Sequence, residues 1–488
     1  MKAGIEGGVH AIRDLFSLDD AEGLLLVDAK NAFNQINREA ALWNCRILWP
    51  RCSRFLFNTY RGYPRIFIRG TNEILLSKEG TTQGDPLAMM MYGVGVLPLI
   101  REVDDFSDEK VQSWYADDAA CVGKLLALRD WLDMLIEKGP KYGYIPEPSK
   151  SILVVKEGLQ QLAQDFFSGY GVEIVSAARY LGGYVGSEEG VKTLVEEKVE
   201  IWGKCVDLLS QASENFPQSV YASFTKSLQS EWTYLQRVVP NCDDIYSTLK
   251  EKIEKNLIPS VLGREVLQRE FGLLALPVKW GGLAFRNPMM DAPVSFQDSY
   301  NANGMIQHSI KNHQKLNIFE HNENVEKTLK IAKDVKELKN EVISEGIIDE
   351  LPTNQQRVLR RIVKEKVSSW LSVIPTAKDG FDLSAQQFRD RLSERYGKEP
   401  INLPAECDGC GKEFSLQHAL DCKKGGLVKK GHDSLRDECS RLAEAAWGGV
   451  KIEPVIKEAC GRLKEDLRAD FCVKGVWQGK RMVFFDNC

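Results

Sequence analysis

The chain of 488 residues is 43% hydrophobic and 27% charged, which is typical of a folded protein; its length predicts three or four domains of about 100–200 residues each. It contains no run of about 18 apolar residues and no signal-peptide pattern at its start, so we expect an intracellular protein, nuclear or cytoplasmic, with no membrane span. The net charge of −5 neither favours nor excludes a nucleic-acid partner, because phosphate binding depends on local basic clusters.

The first predicted strands place acidic residues at a strand end and in a turn. The apolar run LLLV at residues 24–27 ends at Asp28 and predicts a buried strand. NREAALWNCRIL has helical spacing, and from Lys78 a Gly-rich loop leads into an apolar helix with Pro86 suited to its first turn. VQSWYADDAACVG predicts two strands joined by a tight turn at the Asp pair.

The following segments complete a mixed fold. ALRDWLDMLIEKGPKYG predicts an amphipathic helix that ends at Gly139-Pro140, SILVVK a strand, and RYLGGYVG a further short strand with a glycine bend. The order predicts an α+β fold in which helices cover one side of the sheet. From about residue 190 to 265 the spacing becomes helical, and VEKTLKIAKDVKELKNEVI predicts an exposed helix in the charged region 295–350.

Three acidic residues occur where a metal-dependent enzyme needs them. Asp28 ends a predicted strand, Asp117 and Asp118 occupy a hairpin turn, and a Gly-rich loop lies between them in the chain. Carboxylates on neighbouring strands suit magnesium, and two such ions promote phosphoryl transfer. Each feature alone has a plainer explanation, since an Asp pair is usually a solvated turn and an Asp after a strand is often a helix cap.

Five segments in order resemble the motifs of a reverse transcriptase from a non-LTR retroelement. LLLVDAKNAFNQIN resembles motif A, EGTTQGDPLAMMMYG motif B, SWYADDAACVG motif C, GYIPEPSKSILVV motif D and RYLGGYVGS motif E. The resemblance implies a polymerase palm over roughly residues 5–190, with Asp28, Asp117 and Asp118 holding two Mg²⁺ ions. It implies RNA as template, DNA as primer or target, and deoxynucleoside triphosphates as substrates.

The resemblance also implies roles for individual residues. Lys150 would protonate the leaving pyrophosphate, and an ordinary surface lysine is the alternative. The residues implied to contact the incoming nucleotide are Phe33, Gln83, Gly84 and Tyr115. Phe33 would exclude a ribose 2′-hydroxyl, with a core phenylalanine as the alternative. The residues implied to form the primer grip are Leu181, Gly182 and Gly183.

The predicted organisation has five parts. They are a palm with a remnant of the fingers (1–190), a helical thumb (191–292), a helical linker (293–400), a zinc knuckle (401–425) and a partial α/β restriction-like endonuclease (426–488). Motif A begins at Leu24, whereas the family has a much longer fingers region upstream, so we expect a truncated polymerase.

The C-terminal third contains a metal-binding pattern. Four residues have knuckle-like spacing and predict one structural Zn²⁺, with a chance group of thiols as the alternative: Cys407, Cys410, His418 and Cys422. Beyond them, Asp470 and Asp486 each adjoin a strand-like segment. They are similar to the metal-binding acids of the endonuclease that follows such a knuckle in this family, although plain edge-strand aspartates are almost as good an interpretation.

One further feature comes from spacing alone. Four basic residues fall on one helical stripe, here called the basic stripe, which we expect to bind phosphates: Arg357, Arg360, Arg361 and Lys364. Leu359, Ile362, Val363 and Trp370 would lie on the other side, and a solvated helix face is the alternative interpretation.

Three functions remain open on these grounds. The first is an RNA-directed DNA polymerase, and the second is a decayed element that binds nucleic acid without catalysis. An RNA-dependent RNA polymerase or an intron maturase on the same palm is a third, against which Phe33, the alanine of YADD and the knuckle argue.

Overall fold

The computed structural model describes residues 1–82, 84–104, 109–424, 427–459 and 466–486. Chain contacts divide it into two compact units, Met1–Phe388 and Arg389–Cys488. It is a mixed α and β structure, as expected. The finer division into five parts stays a prediction.

The N-terminal part of the first unit alternates helices and strands. Its helices are α1 (Gly4–Ser17), α2 (Ala32–Gln35), α3 (Arg38–Leu48), α4 (Pro50–Tyr60), α5 (Ala88–Glu102), α6 (Leu125–Tyr142) and α7 (Gln160–Phe166). Its strands are β1 (Gly23–Val27), β2 (Arg65–Phe67), β3 (Ile74–Leu76), β4 (Lys110–Tyr115), β5 (Asp118–Gly123), β6 (Ile152–Val155), β7 (Glu173–Val175), β8 (Ala177–Tyr180) and β9 (Gly183–Gly186).

A five-stranded sheet, in the order β4-β5-β1-β6-β7, organises this part. Strand β1 is central and antiparallel to both β5 and β6. Alternate residues of β1, Leu25 and Val27, belong to a core with α3, α5 and α6, whose largest fully buried side chain is Trp131. Helix α1 also contacts β4 and β5, and none of its residues belongs to that core cluster.

Helix α1 is tied to a later helix through buried polar groups. His10 is fully buried, and its ring lies between Arg13 (Nδ1···Nη2, 3.1 Å) and Ser299 (Nε2···Oγ, 3.0 Å). Because Arg13 can only donate, Nδ1 accepts and the ring proton is on Nε2. The Ser299 hydroxyl in turn donates to Glu6 (2.6 Å). Burial first and the Arg13 charge second lower the pKa of His10 to about 3.

The rest of the first unit is helical, as the spacing predicts. The helices are α8 (Glu188–Ala212), α9 (Pro217–Ser223), α10 (Gln229–Val238), α11 (Ser247–Lys252), α12 (Ile258–Leu262), α13 (Gln268–Ala275), α14 (Pro288–Ala302), α15 (Gly304–Lys311), α16 (Ile318–Asp349), α17 (Thr353–Glu365) and the start of α18 (Ala385–Arg395). Short π-helical segments, Phe224–Leu228 and Ile253–Leu257, join α9 to α10 and α11 to α12.

In its described residues, the second unit combines the end of α18, two further helices and short antiparallel strands. After the end of α18 come α19 (Leu416–Asp421), α20 (Leu427–Trp447), β10 (Lys451–Ile452), β11 (Val455–Lys457), β12 (Leu467–Arg468), β13 (Phe471–Lys474) and β14 (Met482–Phe485). Three strands form a sheet in the order β10-β13-β14.

Some predicted boundaries are wrong. Helix α6 continues through Gly139 and Pro140 to Tyr142 and ends at Gly143, which has a left-handed φ of 77°. Proline removes only one N–H donor near a helix end, so the terminating signal is Gly143. Pro86 precedes α5 instead of lying in its first turn, and RYLGGYVG forms the hairpin β8-β9 instead of one bent strand.

Candidate functional site

Strand pairing brings the predicted carboxylates together at one end of the interior strands β1 and β5. Val27 is opposite Ala119 in the β1-β5 register, so Asp28 and Asp118 occupy the next cross-strand positions. Asp117 lies in the two-residue turn of the β4-β5 hairpin, beside Ala116, which has a left-handed φ of 55°. Such a conformation costs about 1–3 kcal/mol for a residue other than glycine and is often found at functional sites. We call Asp28, Asp117 and Asp118 the carboxylate cluster.

The cluster is electrostatically unfavourable without a cation. Partial desolvation raises the pKa of Asp28, and the Lys150 charge opposes this while Glu147 and Asp117 add to it. The pKa of Asp118 is also raised, by desolvation and then by the charges of Asp117 and Asp28. A divalent cation would relieve this repulsion, and carboxylates are the ligands that Mg²⁺ prefers.

A small cavity of about 180 Å³ adjoins the cluster. Asp28, Asp118, Lys150, Arg179 and Leu181 are among the residues that line it. The Lys150 ammonium donates to Glu147 at 2.8 Å, and this hydrogen bond, the Glu147 charge and the Asp28 charge raise the pKa of Lys150. Lys150 is therefore a protonated group near the carboxylates, while its catalytic role stays a prediction.

Arg179 in this cavity is a residue that the motif comparison missed. It lies on β8, two residues before the hairpin turn. The only signal in the sequence is a basic residue in RYLGG, which does not distinguish a surface arginine from a phosphate-binding one.

Two of the predicted primer-grip residues, Leu181 and Gly182, form the β8-β9 turn, and the third, Gly183, begins β9. Leu181 and Gly182 have left-handed φ values of 46° and 82°. The Tyr234 hydroxyl of α10 donates to the Leu181 carbonyl at 2.7 Å, which fixes the turn against that helix. A Cβ at Gly183 would lie 3.0 Å from side-chain atoms of both Val238 and Val9, so this position is closely packed. Contact with a primer stays a prediction.

Aromatic rings lie next to the cluster. The Tyr144 hydroxyl donates to the Asp117 carbonyl at 3.4 Å, and burial followed by neighbouring charges raises its pKa. Phe33 stacks on the buried Tyr92 with ring centroids 4.5 Å apart. Phe33 is partly buried against the core, which agrees with the core-residue interpretation, and its contact with a nucleotide stays a prediction. Tyr115 is exposed beside the turn.

The Gly-rich loop is fastened to the segment that follows Asp28. Thr81 donates from its backbone N–H to the Phe33 carbonyl at 2.7 Å, and Gly80 donates to the Ile36 carbonyl at 3.0 Å. Gly80 has a φ of 73°, and a Cβ there would lie 2.4 Å from the Asn34 carbonyl oxygen. Only glycine fits this close approach.

The next two residues of the loop differ in what can be said of them. Gln83 lies outside the described residues. Gly84 has a φ of 88° and open space around it, so this glycine leaves room for a ligand.

A buried arginine supports the loop. The Arg38 side chain is almost fully buried, and its five N–H groups donate to Gly80 O, Gly62 O, Ser77 O, Ser77 Oγ and Glu79 O at 2.7–3.2 Å. Sequence reasoning missed this residue, because an arginine in the first turn of a helix normally indicates a solvated surface. Asp85 completes the support by accepting a hydrogen bond from the Tyr60 hydroxyl.

The four predicted zinc ligands come together in the second unit, and we call them the zinc cluster. Their ligand atoms all lie within 4.8 Å of one another. Cys407 Sγ and Cys422 Sγ are 3.9 Å apart, and Cys410 Sγ is 3.1 Å from His418 Nε2. Sulfurs on a tetrahedral zinc with bonds of about 2.3 Å lie about 3.8 Å apart, so the cluster fits this ion.

Local backbone geometry builds the zinc cluster. The Lys412 carbonyl accepts from Cys407 N, and Gly411, with a φ of 68°, donates to the Cys407 carbonyl at 2.7 Å. Ser415 caps α19 by accepting from His418 N. Backbone N–H groups of Gly409 and then Cys410 help to lower the pKa of Cys407 to about 7, towards the thiolate form that binds metal.

The structure also brings Asp470 and Asp486 together. They flank the Phe471–Phe485 pair at one end of the β13-β14 ladder, and Asp470 N donates to the Phe485 carbonyl at 3.0 Å. Asp470 is mostly buried, and its Oδ1 lies 3.2 Å from His432 Nε2 on α20. Their role as metal ligands stays a prediction.

The basic stripe lies on α17 with its four side chains exposed, while Leu359 and Ile362 are buried on the opposite side as predicted. Arg360 pairs with Asp349 at 2.7 Å, which neutralises part of the stripe. The placement of Trp370 on this helix is wrong. Lys366 has a left-handed φ of 54° and ends α17, and Trp370 packs in a 3-10 helix against Phe388.

Comparisons with known proteins add little. No family model matches the chain, and no curated protein matches it. The solved structures include a match to telomerase from Candida albicans in complex with the TWJ fragment of telomeric RNA, with 11% identity and a TM-score of 0.25. The match covers 65% of this chain and 55% of that one, so the chain spans about half the length of that protein. A TM-score this low carries no argument about fold or function. Within the described residues, no helix is both long and apolar enough to cross a membrane.

Proposed function

We propose that the chain is an RNA-directed DNA polymerase of a retroelement, which transfers nucleotides to a primer 3′-hydroxyl. The observation that supports this most directly is the juxtaposition of Asp28 with Asp117 and Asp118, from segments about ninety residues apart, through the β1-β5 register. Like charges at neighbouring cross-strand positions are destabilising unless a counter-ion is present, so this arrangement supports a cation site. The raised pKa values of Asp28 and Asp118 agree with a site built for cations.

The carboxylate cluster would hold two Mg²⁺ ions, which supply activation of the primer hydroxyl and charge neutralisation on the phosphates when bound. Gly84, with its open surroundings, would let the template or nucleotide approach the backbone. Lys150 would donate a proton to the leaving group, and Arg179 would hold a phosphate in the adjoining cavity. Phe33, positioned by Tyr92 and Thr81, would contact the sugar of the incoming nucleotide.

The zinc cluster would serve as a structural staple of the second unit that also contacts nucleic acid. Three thiols and one imidazole favour Zn²⁺ over Mg²⁺, because sulfur is a poor ligand for magnesium.

Primer extension tests the polymerase proposal. The full chain would be incubated with poly(rA)/oligo(dT), dTTP and either Mg²⁺ or Mn²⁺. We expect extension that Asp118→Asn reduces by at least about 100-fold, because it removes a metal-binding charge. Asp130→Asn, on the exposed surface of α6, is the matched control and should retain activity. Extension that persists in Asp118→Asn, or its absence from the unmodified chain in both metals, would count against the polymerase.

A nucleic-acid-binding protein without catalysis is the second candidate, favoured by the exposure of the basic stripe. Fluorescence anisotropy with a labelled RNA, measured over a range of salt concentrations, tests it. Each lost phosphate contact should reduce the slope of log K against log salt by about 0.7 to 0.9. We expect this change for Arg361→Gln and a smaller one for Arg360→Gln, whose side chain already pairs with Asp349. If the unmodified chain and both variants bind the RNA equally, the basic stripe is excluded as an RNA-binding site.

A further inference from the structure

Helix α16 has an apolar stripe that faces solvent. The four residues Ile331, Val335, Leu338 and Val342 follow one another at intervals of four, three and four, and they are 55–69% exposed. We call them the α16 seam. This spacing is the heptad pattern of a coiled coil, which repeats every 3.5 residues on average.

The opposite side of the same helix is already occupied. Ser344 is buried and donates to the Trp280 carbonyl, and Glu337 accepts from the Trp280 indole at 3.0 Å. The fold therefore uses one face of α16, and the apolar seam lies on the other. Exposed apolar side chains in one continuous row form a patch, and such patches often mark a contact with another protein.

We propose that the α16 seam is a dimer interface that binds the same seam of a second copy of this chain, as a short parallel coiled coil. In heptad terms, Val335 and Val342 occupy position a, and Ile331 and Leu338 occupy position d. β-Branched residues at a with leucine at d favour two parallel strands, a pattern that the seam matches at both a positions and at Leu338.

The flanking charges select the parallel orientation. Asp334 occupies position g and Lys339 the following position e, and neither is in an ion pair within the described part of the chain. In a parallel dimer, Asp334 of each copy meets Lys339 of the other, which gives two attractive pairs. In an antiparallel dimer, Asp334 would instead meet Glu341 of the other copy, which gives two repulsive pairs.

The interface is short, because four apolar residues per copy bury less area than the standard protein–protein interface of about 1,600 Å². The dimer is therefore expected to be reversible. Sedimentation velocity of the full chain between about 1 and 100 µM should show a concentration-dependent change from monomer to dimer.

Substitutions on α16 test the interface. Leu338→Glu places a charge in the seam and should keep the chain monomeric over the whole range. Leu329→Glu changes another exposed leucine of the same helix outside the seam and should leave the dimer intact. Because both side chains are exposed, circular dichroism should show an unchanged fold. A chain that stays monomeric at about 100 µM, or a dimer that survives Leu338→Glu, would overturn the proposal.

Charge exchange tests the orientation. Asp334→Lys should raise the dimer dissociation constant at least about tenfold, and adding Lys339→Glu should restore it. An antiparallel dimer would behave oppositely, because Asp334→Lys would then face Glu341. Tighter association of Asp334→Lys would therefore overturn the parallel arrangement.

Discussion

The buried Arg38 side chain provides the sharpest test of how the Gly-rich loop is held beside the carboxylate cluster. Arg38→Met keeps an apolar stem of similar length but removes all five donors. Four carbonyl groups and the Ser77 hydroxyl would then lose a hydrogen-bond partner. Water cannot easily replace the guanidinium, because the residue is only 3% exposed.

The size of the effect follows from these contacts. A hydrogen bond to a charged group contributes about 1.5–3 kcal/mol, and such contributions do not add when the groups act together. Leaving a buried acceptor without its donor costs about 1–3 kcal/mol, so with five acceptors affected and contributions that are not additive we expect a total of about 3–5 kcal/mol. Since about 1.4 kcal/mol is a factor of ten, the loop should open roughly two to three and a half orders of magnitude more often.

Native-state hydrogen exchange measures this opening at the affected amides. The N–H groups of Gly80 and Thr81, which bond to Ile36 and Phe33, should exchange faster by that factor in Arg38→Met. Arg51→Met, on the exposed surface of α4, is the matched control and should leave both rates unchanged. Unchanged exchange at both amides in Arg38→Met would refute the supporting role.

Three further predictions concern other parts of the chain. His10 binds a proton near pH 6.5 in the unfolded chain but only near pH 3 in the folded chain, so acid favours unfolding between these two pH values. The free energy of unfolding, measured in urea, should therefore fall by about 2 kcal/mol from about pH 7.5 to 5. In His10→Gln this fall should be smaller. Gly80→Ala and Gly84→Ala both place alanine at a left-handed φ, which costs about 1 kcal/mol. Only Gly80→Ala also brings a Cβ against backbone atoms. Its free energy of unfolding in urea should therefore fall by about 1–3 kcal/mol more than that of Gly84→Ala. The isolated chain should release about one Zn²⁺ to a chromogenic chelator, and Cys410→Ser should bind zinc at least about tenfold more weakly.

Matched variants make these tests specific. His308→Gln changes an exposed histidine and should keep the full pH dependence. Cys439→Ser removes a free thiol of α20 outside the zinc cluster and should retain zinc. The histidine prediction would be contradicted by an unaltered pH dependence of unfolding in His10→Gln. The glycine prediction would be contradicted by equal losses of unfolding free energy in the two variants. The zinc prediction would be contradicted by the same zinc content in Cys410→Ser.

Much of the central sheet could be predicted, because its local signals agree with its tertiary role. The apolar run before Asp28 forms the central strand β1, and the segments on either side of Asp117 form the edge strand β4 and its neighbour β5. Strands β1 and β5 were predictable because most of their residues are apolar and buried. The zinc cluster could equally be predicted from the sequence, because its four ligands lie within sixteen consecutive residues and only local turns are needed to bring them together.

Other features depend on contacts that no local pattern contains. Arg38 looks like any helix-surface arginine until the loop forty residues later folds over it. Arg179 becomes part of the site only when the β8-β9 hairpin reaches the cavity beside Asp28. The sequence predicts a helix end at Gly139-Pro140, whereas the helix ends at Gly143. There a Cβ would lie 2.0 Å from the Gln35 carbonyl oxygen, a tertiary contact that the local pattern does not contain.

The β1-β5 register has a consequence for evolution and engineering of the site. A shift of one residue would turn Leu25 and Val27 out of the core and would also separate Asp28 from Asp118. The spacing of the carboxylates thus depends on how the apolar side chains of β1 pack in the core, and not only on the acidic residues themselves. The proposed polymerase activity would therefore be lost through a core substitution that shifts this register, even with every acidic residue in place, and comparison of the acidic residues alone would not detect the loss.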